Sequence, residues 1–422
     1  MEGYSYLLDL AIILLSTKVL GLATRKVQMP QVVGALLAGL LLGPAALGWI
    51  TETNFIHEVA EIGVIVLMFC AGMETDIKEL KESGKASFII ALFGVVVPLI
   101  GGFAAAWFFN RPDLIASDAS CSILNIFIGI ILTATSVSIT VETLKELGKL
   151  KTRSGNAILG AAIIDDILGI IALTIVTSMA DSSVNVTVVL LKILGFFVFS
   201  GIIGVIFYKV YKRWTESSEK GLQRHAIIAF VFCLLMAYIA EVVFGVADIT
   251  GAFIAGLIIS NTNKSMFVRI KFDTISYMLL SPVFFASIGL KVVLPEMTPA
   301  IIWFSVVLVI VAIVTKVIGC GIGAKVCGYQ NYQAKRIGVG MISRGEVALI
   351  VASKGTALGL LGGNFLGPVV IVVIFTTIIT PVLLKIVFKK APPIPVSETI
   401  TESESLAKEL EQVMKSRGEE RK

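Results

Sequence analysis

Stretches of twenty or more residues without a single charge recur along this chain, at 86–109 and 355–384 above all, and they limit what it can fold into. A helix rises 1.5 Å per residue, so about 20 apolar residues cross the roughly 30 Å of hydrocarbon in a bilayer. The runs 274–290 and 301–315 approach that length, and 355–384 is long enough for two passes broken at Gly362-Gly363-Asn364. The chain is 56% hydrophobic and 15% charged, with a mean hydropathy of +0.92, which excludes a soluble globular protein of 422 residues. The expected class is an all-α polytopic membrane protein whose solvent is lipid.

Hydropathy and turn residues divide the chain into about thirteen spans. They fall near 5–24, 30–49, 58–73, 86–109, 123–142, 155–180, 186–208, 225–243, 247–261, 274–290, 300–325, 336–354 and 364–388. The first span holds Asp9 and Lys18 and runs on into the others, so it reads as a span and not as a cleaved signal. Alternate loops are basic, among them Lys145, Lys149, Lys151 and Arg153, then Lys264, Arg269 and Lys271. By the positive-inside rule the amino terminus is then outside and the carboxyl terminus cytoplasmic, in a multi-pass plasma-membrane protein. The net charge of +5 sits in these short loops and forms no basic face, so nucleic acid is not an expected partner. Five cysteines, 70, 121, 233, 320 and 327, lie scattered in apolar segments without metal-ligand spacing and read as packing residues.

Residues 1–390 therefore form the membrane domain, and 391–422 a short charged cytoplasmic tail too small and polar for its own core. Gly34-Ala35-Leu36-Leu37-Ala38-Gly39-Leu40 in the second span is echoed by Gly251-Ala252-Phe253-Ile254-Ala255-Gly256-Leu257 in the ninth. Spans seven apart run in opposite directions, which predicts inverted repeats at about 5–180 and 225–388 joined by the span 186–208.

Charges deep in spans carry the functional information, because each costs about 2.5–3.5 kcal/mol on insertion scales. Asp165 lies ten residues beyond Gly155, Lys316 nine before Lys325, and Arg344 and Glu346 eight and ten beyond Arg336. At 1.5 Å per residue all sit about 12–15 Å from the same face. A lysine at about 13 Å cannot reach the interface with a stem of roughly 6 Å, so Lys316 needs a buried partner. Asp165 and Asp166 project about 100° apart on a helix, so one should meet the lysine and the other an aqueous cavity. Spacing does not say which does which. Thr133-Ala134-Thr135-Ser136 in the fifth span offers hydroxyls and freed carbonyls to a hard cation. Its companion is Ser343-Arg344-Gly345-Glu346 in the twelfth, seven spans later; if both helices are interrupted, Arg344, Glu346 or the ion can offset their exposed ends.

At these residues the chain resembles the monovalent cation:proton antiporter superfamily, in the branch of Nap-type sodium/proton antiporters and Kef-type potassium efflux proteins. The likeness runs over nearly all of 10–390 and is carried by Gly34 to Pro44, Glu61 to Asp76, Ile131 to Thr140, Ala161 to Gly169, Phe284 to Leu290 and Arg344 to Ile350. The resemblance implies a core with two crossed, unwound helices, here spans five and twelve, beside a dimerisation domain, and elevator-like movement between them. It also implies that Asp166 binds Na+, that Asp165 pairs with Lys316, and that exchange is electrogenic. Thr133, Thr135 and Ser136 are the further cation-binding candidates; no cofactor is expected beyond the transported Na+ and H+. Kef-type proteins carry a large nucleotide-binding domain that a short tail does not match, so potassium efflux, as transporter or channel, is the alternative. Catalysis is not expected: the neighbouring aspartates do not match a membrane aspartyl protease, and no phosphate-binding loop for a pump is present.

Overall fold

The computed structural model describes residues 4–26, 29–75, 77–109, 121–180, 185–217, 222–292, 298–357 and 363–389. Every regular element among them is helical. The first repeat expected from the sequence supplies α1 (Ser5–Lys26), α2 (Gln31–Leu42), α3 (Asn54–Glu74), α4 (Ile77–Phe109), α5 (Cys121–Thr133), α6 (Val137–Glu146) and α7 (Arg153–Ala180). After α8 (Val186–Ser217) come α9 (Leu222–Tyr238), α10 (Asp248–Ser260), α11 (Ser265–Ile275), α12 (Ser281–Leu290), α13 (Pro299–Val326), α14 (Asn331–Gly340), α15 (Glu346–Ala357) and α16 (Gly363–Lys389). Among the described residues, ten helical stretches are long and apolar enough to cross a membrane, and α2 and α10 are shorter apolar helices. The tail 391–422 and its expected role lie outside the described residues.

Several helices run past the predicted spans. α8 continues to Ser217 and carries Lys209, Lys212 and Arg213, and α11 starts at Ser265, so Arg269 and Lys271 belong to a helix and not to a loop. Hydropathy marks where hydrocarbon ends; the backbone keeps its hydrogen bonds by staying helical into the interface.

Packing sorts the helices into two bundles. α4, α5, α6, α7, α13, α14, α15 and α16 pack on one another, and α1, α2, α3, α9, α10, α11 and α12 form the second group. α8 touches α7 on one side and α10 on the other. Each half of the chain thus gives its first helices to one bundle and its last to the other.

Glycine sets how closely the second bundle packs, in two matching places. A Cβ at Gly34 would strike the backbone of α1 at Leu20 and Gly21, and one at Gly251 would strike α9 at Met236. A Cβ at Gly39 would collide with the carbonyl oxygen of Ala286 on α12, and one at Gly256 with that of Phe69 on α3. Without a hydrophobic drive between helices in lipid, such close backbone contact is what holds them together. Gly256→Ala should therefore cost about 1–3 kcal/mol, the usual penalty of overpacking. Thermal unfolding of the detergent-solubilised protein checks this: its midpoint should drop below the wild type's, with Gly256→Leu lower still.

Candidate functional site

Helical structure stops twice within the first bundle, and the two breaks meet. Between α5 and α6 the chain is non-helical from Ala134 to Ser136, with Ser136 extended; between α14 and α15 it is non-helical from Ile342 to Gly345. The amide of Ser136 donates to the carbonyl of Ser343 at 2.8 Å, and the Ser343 hydroxyl donates to the carbonyl of Ser136 at 2.9 Å. Thr140 brings its hydroxyl within 2.8 Å of both the Gly340 carbonyl and the Ser343 hydroxyl. Serine and threonine can bond backbone groups that a broken helix leaves open, which is why the sequence can stop here at low cost. Gly345 permits the approach, since a Cβ there would lie 2.7 Å from the Ser136 hydroxyl.

Arg344 holds the crossing together. It is fully buried, and its guanidinium donates to the carbonyls of Leu132 at 2.7 Å, Ala312 at 3.0 Å and Ile342 at 2.5 Å. Leu132 stands at the carboxyl end of α5 and Ile342 just past that of α14, where open carbonyls carry the negative end of the helix dipole. One cation with a rigid fork of donors thus compensates both interrupted ends. α16 fixes its backbone: the Arg344 amide donates to Thr376, and Thr377 donates to the Arg344 carbonyl at 2.6 Å. Arg344→Leu leaves three buried carbonyls without their donor, at about 1–3 kcal/mol each. The expected result is a sharp loss of folded protein in detergent, with Arg344→Lys intermediate because an ammonium cannot reproduce the fork; fluorescence-detected size exclusion after heating measures both.

Beside the crossing lies the ion pair. Lys316 on α13 donates to Asp165 on α7 at 3.0 and 3.1 Å, and the two side chains are 0% and 1% exposed. α4 packs directly against the pair: a Cβ at Gly94 would sit 2.7 Å from Cys320 Sγ, 3.6 Å from Lys316 Nζ and 3.7 Å from the Asp165 carboxylate. Asp166 is 6% exposed on the neighbouring position of α7. The Thr135 hydroxyl of the first break lies next to Asp165. Four chain segments far apart in sequence therefore converge at one place, two of them broken helices and two bearing opposite charges.

The sequence-derived residues separate into groups. Asp165 and Lys316 meet directly; Arg344, Ser136 and Thr135 sit at the crossing; Thr133 spends its hydroxyl on the Ile130 carbonyl at 2.7 Å, an ordinary back-bond within α5. Glu346 opens α15, and its side chain lies outside the described part of the structure. Gly94, Thr376 and Thr377 were missed. The threonines are uncharged residues in an apolar span, and Gly94 has no side chain to signal a role; only the packing of α4 and α16 reveals them.

Residues 11–390 match the protein family described as sodium/hydrogen exchanger, transmembrane. The chain is 40% identical over 386 residues to the Na(+)/H(+)-K(+) antiporter GerN of Bacillus cereus, covering 91% of this chain and 97% of that one. It is 38% identical over 392 residues to the Na(+)/H(+) antiporter of Enterococcus hirae, covering 90% and 97% respectively. Among solved structures, the sodium proton antiporter MjNhaP1 from Methanocaldococcus jannaschii superposes with a TM-score of 0.66 at 17% identity. That match covers 92% of this chain and 99% of the other, and it establishes a shared fold.

Proposed function

Because the chain belongs to the sodium/hydrogen exchanger family, we propose that it exchanges Na+ for protons across the plasma membrane, serving sodium transport and pH homeostasis. The observation that carries this reading is the buried Asp165–Lys316 pair, set against a helix crossing with Asp166 on the next position. A charge at that depth is expensive, so a site able to move must first be neutralised. Asp166 is the cation ligand, helped by Thr135, Ser136 and Asp165, while Lys316 holds Asp165 in the absence of the ion. Protons and the cation compete for the same carboxylates, so either can leave only when the other arrives. Exchange of two protons for one cation moves one net charge, worth about 2.3 kcal/mol per 100 mV.

The same reading assigns the remaining organisation. Residues 1–390 are two inverted repeats, 5–180 and 225–388, whose matched glycine contacts at Gly39 and Gly256 support the relation. The bundle with the crossing is the moving part, and the α1–α3 with α9–α12 bundle is the scaffold on which a second copy docks to form a homodimer. The amino terminus lies outside and the carboxyl terminus in the cytoplasm, as the basic loops require.

The deciding experiment uses proteoliposomes with an imposed pH gradient and no cation gradient. Coupled exchange should concentrate 22Na+ inside when the interior is acidic; passive equilibration with no accumulation would mean a channel. The relatives compared are named as antiporters, so the Kef-type alternative drawn from sequence is not favoured. The name of the Bacillus cereus relative includes potassium, so K+ and Li+ should be run beside Na+.

A further inference from the structure

The foot of α6, where the moving helix ends, is tied to the scaffold by charges that the exchange chemistry does not use. Glu146 turns its carboxylate onto the amino terminus of α2, where the Gln31 amide donates to both oxygens at 2.7 and 2.8 Å. A carboxylate at a helix amino terminus meets both open amides and the positive end of the dipole. One residue earlier, Lys145 reaches Asp273 of α11 at 2.5 Å and Glu74 at the end of α3 at 3.7 Å. A ten-residue half-helix thus grips three scaffold helices within its last two residues.

An apolar cleft of only about 20 Å³ lies between Leu36 and Ile288 of the scaffold and Leu349, Val373 and Thr377 of the moving bundle, with Lys291 at its edge. Thr377 is also the residue that holds the Arg344 carbonyl, so the cleft reaches the wall of the crossing. One contact between the bundles is charged and the other is apolar.

We propose that the Glu146 and Lys145 contacts form a latch that holds the crossing in one access state and must release for the other. This inference deepens the exchange reading and rests on its moving bundle. The latch can release without stranding its acids, because Arg269 already lies 4.0 Å from Glu74 and 3.9 Å from Asp273 within the scaffold. Glu142, one turn above, faces the same group of Lys145, Glu146, Glu74 and Asp273. Each lost charged bond at such a tie shifts the open population by about tenfold, the range expected for charge-assisted hydrogen bonds.

Cys70 is a built-in reporter. It is 0% exposed and lies beside Asp273, Lys145 and Glu74, behind the foot of α6. Maleimide labelling of the detergent-solubilised protein, followed peptide by peptide by mass spectrometry, reads its exposure. Glu146→Gln and Lys145→Gln should each label Cys70 about tenfold faster than wild type, with buried Cys233 of the scaffold unchanged as the control for unfolding. High salt should speed Cys70 labelling in the unmodified chain, since partly exposed pairs are screened. Cys70 labelling at the wild-type rate in both variants and at high salt overturns the latch. Absence of coupled exchange in proteoliposomes would remove the transport reading instead, and it would leave the labelling result to stand by itself.

Discussion

Asp166→Asn reduces coupled exchange to the level of protein-free vesicles while the protein still elutes as a folded species: that is the expected result for the residue assigned to the ion. Asparagine keeps the shape and one carbonyl oxygen but removes the negative charge and the proton that the charge can accept. Without it the cation has no counter-charge at that depth, and the site has one group fewer on which protons and cation can compete. Folding should survive, because the bonds that define the crossing run through Ser136, Ser343, Thr140 and Arg344 and not through Asp166. The measurement is dye-reported proton release on addition of Na+ to acid-loaded proteoliposomes. A variant that still exchanges at the wild-type rate removes Asp166 from the mechanism.

The part of this site legible in the sequence is the part that charge makes legible. Asp165 and Lys316 stand out because ionisable groups are rare in spans, and helix rise alone put them at one depth; the structure joins them at 3.0 Å. Arg344 was readable as a midplane charge able to offset the exposed ends of two broken helices, with Glu346 or the ion as alternatives, but not as the one group that donates to carbonyls at both ends. That role depends on the carbonyls of Leu132 and Ile342, which no side chain announces. Gly39 and Gly256 were visible as a repeated motif, and the structure shows what the repetition achieves: each lets its helix touch the backbone of a helix from the other half. Thr376, Thr377 and Gly94 stayed hidden because hydroxyls and glycines are common in membrane helices at little cost. Helix ends were misplaced wherever charged turns continue a helix beyond hydrocarbon, as in α11 and α8, and it is in such a turn that α11 carries Arg269 and Asp273.

Lys316→Ala should separate transport from voltage. With the lysine gone, Asp165 would be a charge buried without a partner, and a carboxylate in that position takes a proton instead of remaining ionised. One of the two protons is then held throughout the cycle, the stoichiometry falls to one for one, and exchange becomes electroneutral. Imposing a membrane potential of either sign with valinomycin should accelerate or slow the wild type and leave Lys316→Ala unaffected. Stability gives an independent reading of the same pair: removing one partner of a buried ion pair costs about 3–5 kcal/mol, whereas replacing both by groups of similar shape is close to neutral. Asp165→Asn combined with Lys316→Met should accordingly unfold at a higher temperature than Lys316→Met alone, and with Asp165→Asn as the second single variant the shortfall from additivity measures the coupling. If Lys316→Ala stays as voltage-sensitive as the wild type, the lysine is a structural strut, and the charge moved in each cycle has to be carried by some other group.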